Sequence, residues 1–110
     1  MALTVDELKE KLELTPYYVE DGEREITGGY TGDLLSWVMG RAQQDNAWVT
    51  IMSNMNVVAV ASLADVSCVI LAEGVTPEQS VIDTAAAKDV NVLSSEKGAF
   101  EIASLLAPDV

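Results

Sequence analysis

Thr27-Gly28-Gly29-Tyr30-Thr31-Gly32-Asp33 is the stretch of this sequence best suited by residue type to hold a ligand. Bare glycine amides ahead of a helix N-terminus can cradle an anion. The same residues also suit a tight turn from a strand into a helix, with Gly28 and Gly29 lending backbone freedom and Asp33 capping the helix. The turn reading is favoured, because a carboxylate at position 33 would repel an anion there. A phosphate-binding kinase loop needs Lys and then Ser or Thr after its glycines. Asp33 stands where that Lys would be, so a kinase reading lacks its phosphate clamp.

Ser53, Asn54 and Asn56 form the second candidate group. They fall between the end of a predicted strand and an apolar helix, and open parallel sheets bind ligands at that edge. Ordinary helix capping accounts for the same residues. If a small-molecule pocket exists, Thr27, Tyr30, Ser53 and Asn54 are expected to line it, with Gly28, Gly29, Asp33 and Asn56 as further candidate ligand contacts.

Other chemistries are excluded by composition. The 110 residues include no His and one Cys, which removes His-based acid–base catalysis, catalytic triads, His metal sites and four-thiolate clusters. No catalytic residue, metal or cofactor is expected. Cys68 lies among Val66, Ser67, Val69 and Ile70 with no base nearby in sequence, which suits an inert buried thiol better than a redox sensor. Trp37 and Trp48 could stack a base. A core place fits Trp48 better, inside a predicted strand, and Trp37, on a predicted helix, could face a partner. The formal net charge of −12 argues against nucleic acid and anionic membranes as partners. The acidic run from Glu20 to Glu25 reads as a solvated loop before it reads as a docking site for a basic protein. The start, M-A-L-T-V-D-E-L-K-E, has no basic region followed by an apolar stretch, and the longest apolar run, Val57 to Ala64, is too short to cross a bilayer. With a lone Cys, these features predict a cytoplasmic protein.

The elements that must position these residues are legible in the spacing. T-V-D-E at 4–7 is a capping box for a helix over 5–13. Residues 17–19 suit a short strand. Three glycines within Ile26 to Gly32 are expected to break any regular element, and a helix should follow from Leu34 to Met39. Residues 47–52 read as a strand, 57–64 as an almost wholly apolar helix, and 67–72 as a central strand. Pro77 is expected at the first position of a helix reaching Lys88. Asn91 to Leu93 reads as a strand, and Ser95 is expected to cap the last helix, which carries Phe100, Ile102, Ala103 and Leu106. Strand and helix alternate through the second half, which predicts an α/β fold with a small, mainly parallel sheet flanked by helices. One domain over 1–110 is expected: an N-terminal helix and short strand in 1–20, and the α/β core in 21–107. A helix apolar all round needs two burying surfaces. One is its own sheet and the other could be a second copy of the chain, so a homodimer is expected.

Glu25-Ile26-Thr27-Gly28-Gly29, A-W-V-T-I-M at 47–52, N-V-V-A-V-A-S-L at 56–63, C-V-I-L-A-E-G at 68–74 and S-S-E-K-G-A-F-E-I-A at 94–103 occur in that order. Together they resemble stand-alone members of the DRTGG-domain family over nearly the whole chain. Glu25 and Ile26 replace the Asp and Arg of the name-giving motif, and Thr27, Gly28 and Gly29 keep it. The resemblance implies a small parallel-sheet α/β fold, like the N-terminal domain of the HPr kinase/phosphorylase. It is also similar to modules inside phosphate acetyltransferases and between the CBS domains of regulated pyrophosphatases, which are regarded as regulatory or dimerising parts. It further implies a setting near iron–iron hydrogenases and redox-linked kinases. The expected function is therefore a non-catalytic regulatory or interaction module, binding a small ligand or a protein partner in anaerobic redox or hydrogenase-linked metabolism. The alternative is a kinase-like or iron–sulfur-linked hydrogenase accessory protein.

Overall fold

A computed structural model describes residues 3–110. Its centre is a five-stranded sheet in the order β2-β7-β6-β5-β4. The strands are β2 (Thr15–Tyr18), β4 (Gly28–Thr31), β5 (Asn46–Thr50), β6 (Cys68–Leu71) and β7 (Val92–Ser94). Strands β4 to β7 run parallel, and β2 joins β7 antiparallel with a register shift between Pro16 and Tyr18. Two short strands, β1 (Leu3–Thr4) and β3 (Glu25–Ile26), form a separate antiparallel pair. Helices α2 (Leu35–Arg41), α3 (Met55–Ala64) and α4 (Gln79–Lys88) link successive parallel strands. Helix α1 (Val5–Leu12) and helix α5 (Ala99–Leu106) complete the fold, and a 3-10 turn at Ala107–Asp109 follows α5.

The period-two alternation of strand side chains divides the core between the two sheet faces. Ala47, Val49, Cys68 and Ile70 point to one side and pack with Val5, Leu8, Ile102 and Leu106 of α1 and α5. Trp48, Val69 and Leu71 point to the other and pack with Val38, Val57, Val58, Val81 and Ala85 of α2, α3 and α4. All four residues of β6 are buried, as a central strand covered on both faces requires. The fold class read from the sequence is thus the observed one. The capping box is present too: Thr4 Oγ1 accepts from Glu7 N at 3.2 Å, and Glu7 Oε1 accepts from Thr4 N at 2.9 Å.

Four local expectations need correction. The glycine segment is not irregular: Gly28 to Thr31 is strand β4, paired with Asn46 to Val49. At an edge the ladder needs only backbone groups, which glycine supplies, and an added Cβ would make two neighbouring side chains shift. A Cβ on Gly28 would meet Asn46 Nδ2 at 2.9 Å, and one on Gly29 would meet Leu106 Cδ2 at 3.1 Å. Asp33 does not cap α2, whose N-cap is Leu34 without a side-chain bond. Asp33 Oδ1 instead accepts from Thr50 Oγ1 at 2.7 Å and Ile51 N at 2.9 Å, and so ties the β4–α2 turn to the end of β5. Pro77 lies ahead of α4, whose N-cap is Glu78. Ser95 does not cap α5, whose N-cap is Gly98; its Oγ accepts from Lys97 N at 3.0 Å and shapes the approach to that helix.

Candidate functional site

The parallel strands β5 and β6 both end at one edge of the sheet, and the helices that follow begin there. A hollow of about 380 Å³ lies at this edge, lined by Ile51, Met52, Ser53, Asn54, Met55, Glu78, Ser80 and Val81. Two chain segments build it. The β5–α3 connection supplies Ser53 and Asn54, and Asn54 Oδ1 accepts from Asn56 N at 2.9 Å as the cap of α3. The start of α4 supplies Glu78 and Ser80, and no side chain caps that helix. Polar atoms therefore share the hollow with the first-turn amides of two helices, whose partial positive charge favours acceptor groups on a ligand. The Glu78 carboxylate gives the hollow a negative side. Ile51 and Met55 are 45% and 53% exposed and form an apolar rim, Asn54, Glu78 and Ser80 are exposed as well, and Val81 is the buried residue of the lining.

A second groove, of about 260 Å³, lies between β4 and the end of α5. Gly29, Tyr30, Thr31, Val49, Ala103, Leu106, Ala107 and Val110 line it.

The candidate residues are divided between these places. Ser53 and Asn54 line the hollow, and Asn56 stands behind Asn54 in the first turn of α3. Gly29 and Tyr30 line the groove. Gly28 is at the start of β4 against Asn46, and Thr27 precedes it, its N donating to Asp45 O at 3.0 Å. Thr27 is thus at the amino end of the strands, opposite Ser53, which follows the carboxyl end of β5. Asp33 borders the hollow's end of the sheet, but both of its contacts are to its own chain. Ser80 and Glu78 were not singled out from the sequence. The signal that points to them is topological: the helix after β6 must begin beside the helix after β5.

Cys68 is fully buried, and burial pushes its thiol up to about 12, with only partial relief from the Arg24 charge. In the unfolded chain the thiol ionises near 9.0. Between these values the unfolded chain has lost a proton that the folded chain keeps, so the thiol lowers stability as pH rises through that window and leaves it unchanged below. At about pH 8 a disulfide reagent such as DTNB is expected to leave native Cys68 untouched and to label it fully in guanidinium. Stoichiometric labelling of the native protein within seconds would show that the thiol is accessible.

No helix of the described residues is long and apolar enough to cross a membrane, and among those residues no three His, Cys, Asp or Glu side chains are grouped to hold a metal.

A parallel α/β domain with a hollow at the carboxyl ends of its strands defines the class, and comparison with known proteins gives the family. The profile of the DRTGG domain matches residues 33–108, and the chain belongs to that family. The match begins after the Glu25–Gly29 segment, so membership rests on α2 to α5 and not on the glycine motif. No curated protein matches the chain. Among solved structures, the fold is similar to the CBS and DRTGG domains of the regulatory region of Clostridium perfringens pyrophosphatase, crystallised with its activator diadenosine tetraphosphate. The TM-score is 0.79 at 14% identity, over 97% of this chain. The chain spans 47% of that neighbour.

Proposed function

We propose that this chain is a non-catalytic regulatory domain that takes a small ligand at the carboxyl edge of its sheet and works as a homodimer in the cytoplasm. The observation that carries the reading is the hollow between Ser53, Asn54 and Ser80, where two helix N-termini and an apolar rim converge. Its volume is at the small end of the ~300–1,000 Å³ range of ligand pockets. Membership of the DRTGG family supports a regulatory role, and the pyrophosphatase region crystallised with a nucleotide activator makes nucleotides the first ligands to try. A setting beside hydrogenase-linked or anaerobic redox enzymes rests on the family resemblance alone.

Titration calorimetry against AMP, ADP, ATP and diadenosine tetraphosphate tests the ligand. Saturable heat from at least one of them is expected, and Ser80→Trp, which fills the hollow from an exposed position, should weaken it at least tenfold without loss of fold. No heat above dilution across the panel retires the ligand. A labelled-ATP phosphotransfer assay separates this reading from a kinase-like one, which turnover would favour.

The homodimer is supported by α3. It packs between α2 and α4, and none of its ten residues is charged. Its outer face carries Met55, Ser62 and Leu63, with Leu63 74% exposed, and Trp37 of neighbouring α2 is 54% exposed under the Arg41 guanidinium. An uncharged strip is where two chains of net charge −12 can meet with the least repulsion. Sedimentation should give a dimer that Leu63→Glu converts to monomer. A monomeric parent at high micromolar concentration removes the proposal.

A further inference from the structure

The two edges of the central sheet are treated differently by the sequence. At β2 the edge carries Pro16 and a register shift, and Tyr18 Oη donates to Asp89 Oδ1 at 3.0 Å beside it. These are the usual means of closing an edge to further strands. At β4 there is none of this. Gly28-Gly29-Tyr30-Thr31 has no Pro, no charge and no bulge, and pairs only with β5. Gly32 N donates to Val49 O at 3.2 Å, so alternation along β4 turns the backbone of Tyr30 and Gly28 toward β5. The N–H and C=O groups of Gly29 and Thr31 are left on the open side, and these are the two exposed residues of the strand.

Beside that open backbone lies the groove between β4 and α5, with Ala103, Leu106, Ala107 and Val110 on its far wall. A strand laid against β4 would place alternate side chains over it, where they would meet apolar surface. Backbone pairing with pockets for every second side chain is the recognition mode of strand addition. Charge decides between occupants. A cationic segment is drawn to the domain by the field of its net charge of −12, and a second copy is not.

We propose that the free edge of β4 is a docking site for an extended peptide segment of a partner protein, apolar at alternate positions and basic between them. The site lies apart from the hollow at the carboxyl edge and does not depend on it.

The probe is the synthetic peptide acetyl-Lys-Val-Lys-Val-Lys-Val-amide, added to the full chain labelled with 15N. Saturation should slow amide hydrogen exchange of Gly29 and Thr31 at least tenfold and shift the Leu106 methyl signals. The same peptide N-methylated at every residue cannot complete the ladder and should bind at least tenfold more weakly, as should the Glu-Val counterpart. Thr31→Pro, which removes one outward N–H, should weaken binding by a similar factor. The N-methylated peptide gives the same discrimination on unaltered protein if that variant does not fold. The proposal is overturned if the Lys-Val peptide does not bind, if it protects other amides instead, or if the N-methylated form binds equally well. Protection of Gly29 and Thr31 that rises with protein concentration without peptide would assign the edge to a second copy and overturn it too.

Discussion

Trp48→Ala is expected to destabilise the domain by about 3–5 kcal/mol, which for a chain of this size lowers Tm by about 15–30 °C. Trp48 is the largest fully buried side chain, and it lies on β5 with β4 on one side and β6 on the other. Its ring packs among Val38 of α2, Val57 and Val58 of α3 and Val69 of β6, so its removal opens a cavity that three separate elements would have to close. Its indole N–H also donates to Gly32 O at 2.9 Å, in the turn from β4 to α2. Trp48→Phe separates these contributions. It keeps most of the apolar volume and leaves the Gly32 carbonyl without its partner, for an expected cost of about 1–2 kcal/mol. Urea titration followed by far-UV circular dichroism reads both variants, with an unchanged m-value expected. A loss under about 1 kcal/mol for Trp48→Ala would mean that the two layers are not packed through this residue.

The contrast between Trp48 and Asp33 shows what the sequence could disclose. Trp48 sits within an apolar strand pattern, so its burial follows from its neighbours in the chain. The buried central strand β6, the capping box at Thr4 and Glu7, and the apolar helix α3 are equally local, and each is legible for that reason. Asp33 preceding an apolar run looks like a cap by every local criterion. Its carboxylate is taken by Thr50 and Ile51 instead, a choice visible only once β4 and β5 lie side by side. The glycines at 28 and 29 mislead in the same way, because a propensity against strands is overridden by their pairing with Asn46 and Ala47 of β5. Of the candidate pocket, Ser53 and Asn54 were legible as residues at a strand end. Ser80 comes from a helix that starts more than twenty residues later, so its neighbourhood depends on the order of β5 and β6 in the sheet.

Asn91→Ala is the second change expected to have a large effect, of about 2–4 kcal/mol, although it removes little apolar surface. Asn91 is 4% exposed, and every polar position on its side chain is used. Its Oδ1 accepts from Glu20 N at 2.8 Å and Asp21 N at 3.3 Å, while its Nδ2 donates to Asp21 O and Ser67 O, each at 3.0 Å. One amide thus joins the acidic turn after β2 to the start of β6, two segments with no strand pairing between them. Alanine would leave up to four backbone groups without a partner at a part-buried junction, and a small cavity admits at most a water to replace them. Asn91→Asp makes the cause testable. A carboxylate keeps the acceptor for Glu20 and Asp21 but turns a donor into an acceptor against two carbonyl oxygens, so a loss close to that of alanine is expected. If the amide acts as this junction, exchange at the Glu20 and Asp21 amides should also accelerate in both variants, beyond the change set by global stability. Equal stability of the parent and Asn91→Ala would mean that the turn is held by other contacts. Aspartate much better tolerated than alanine would mean that the two acceptor bonds, and not the four together, carry the effect.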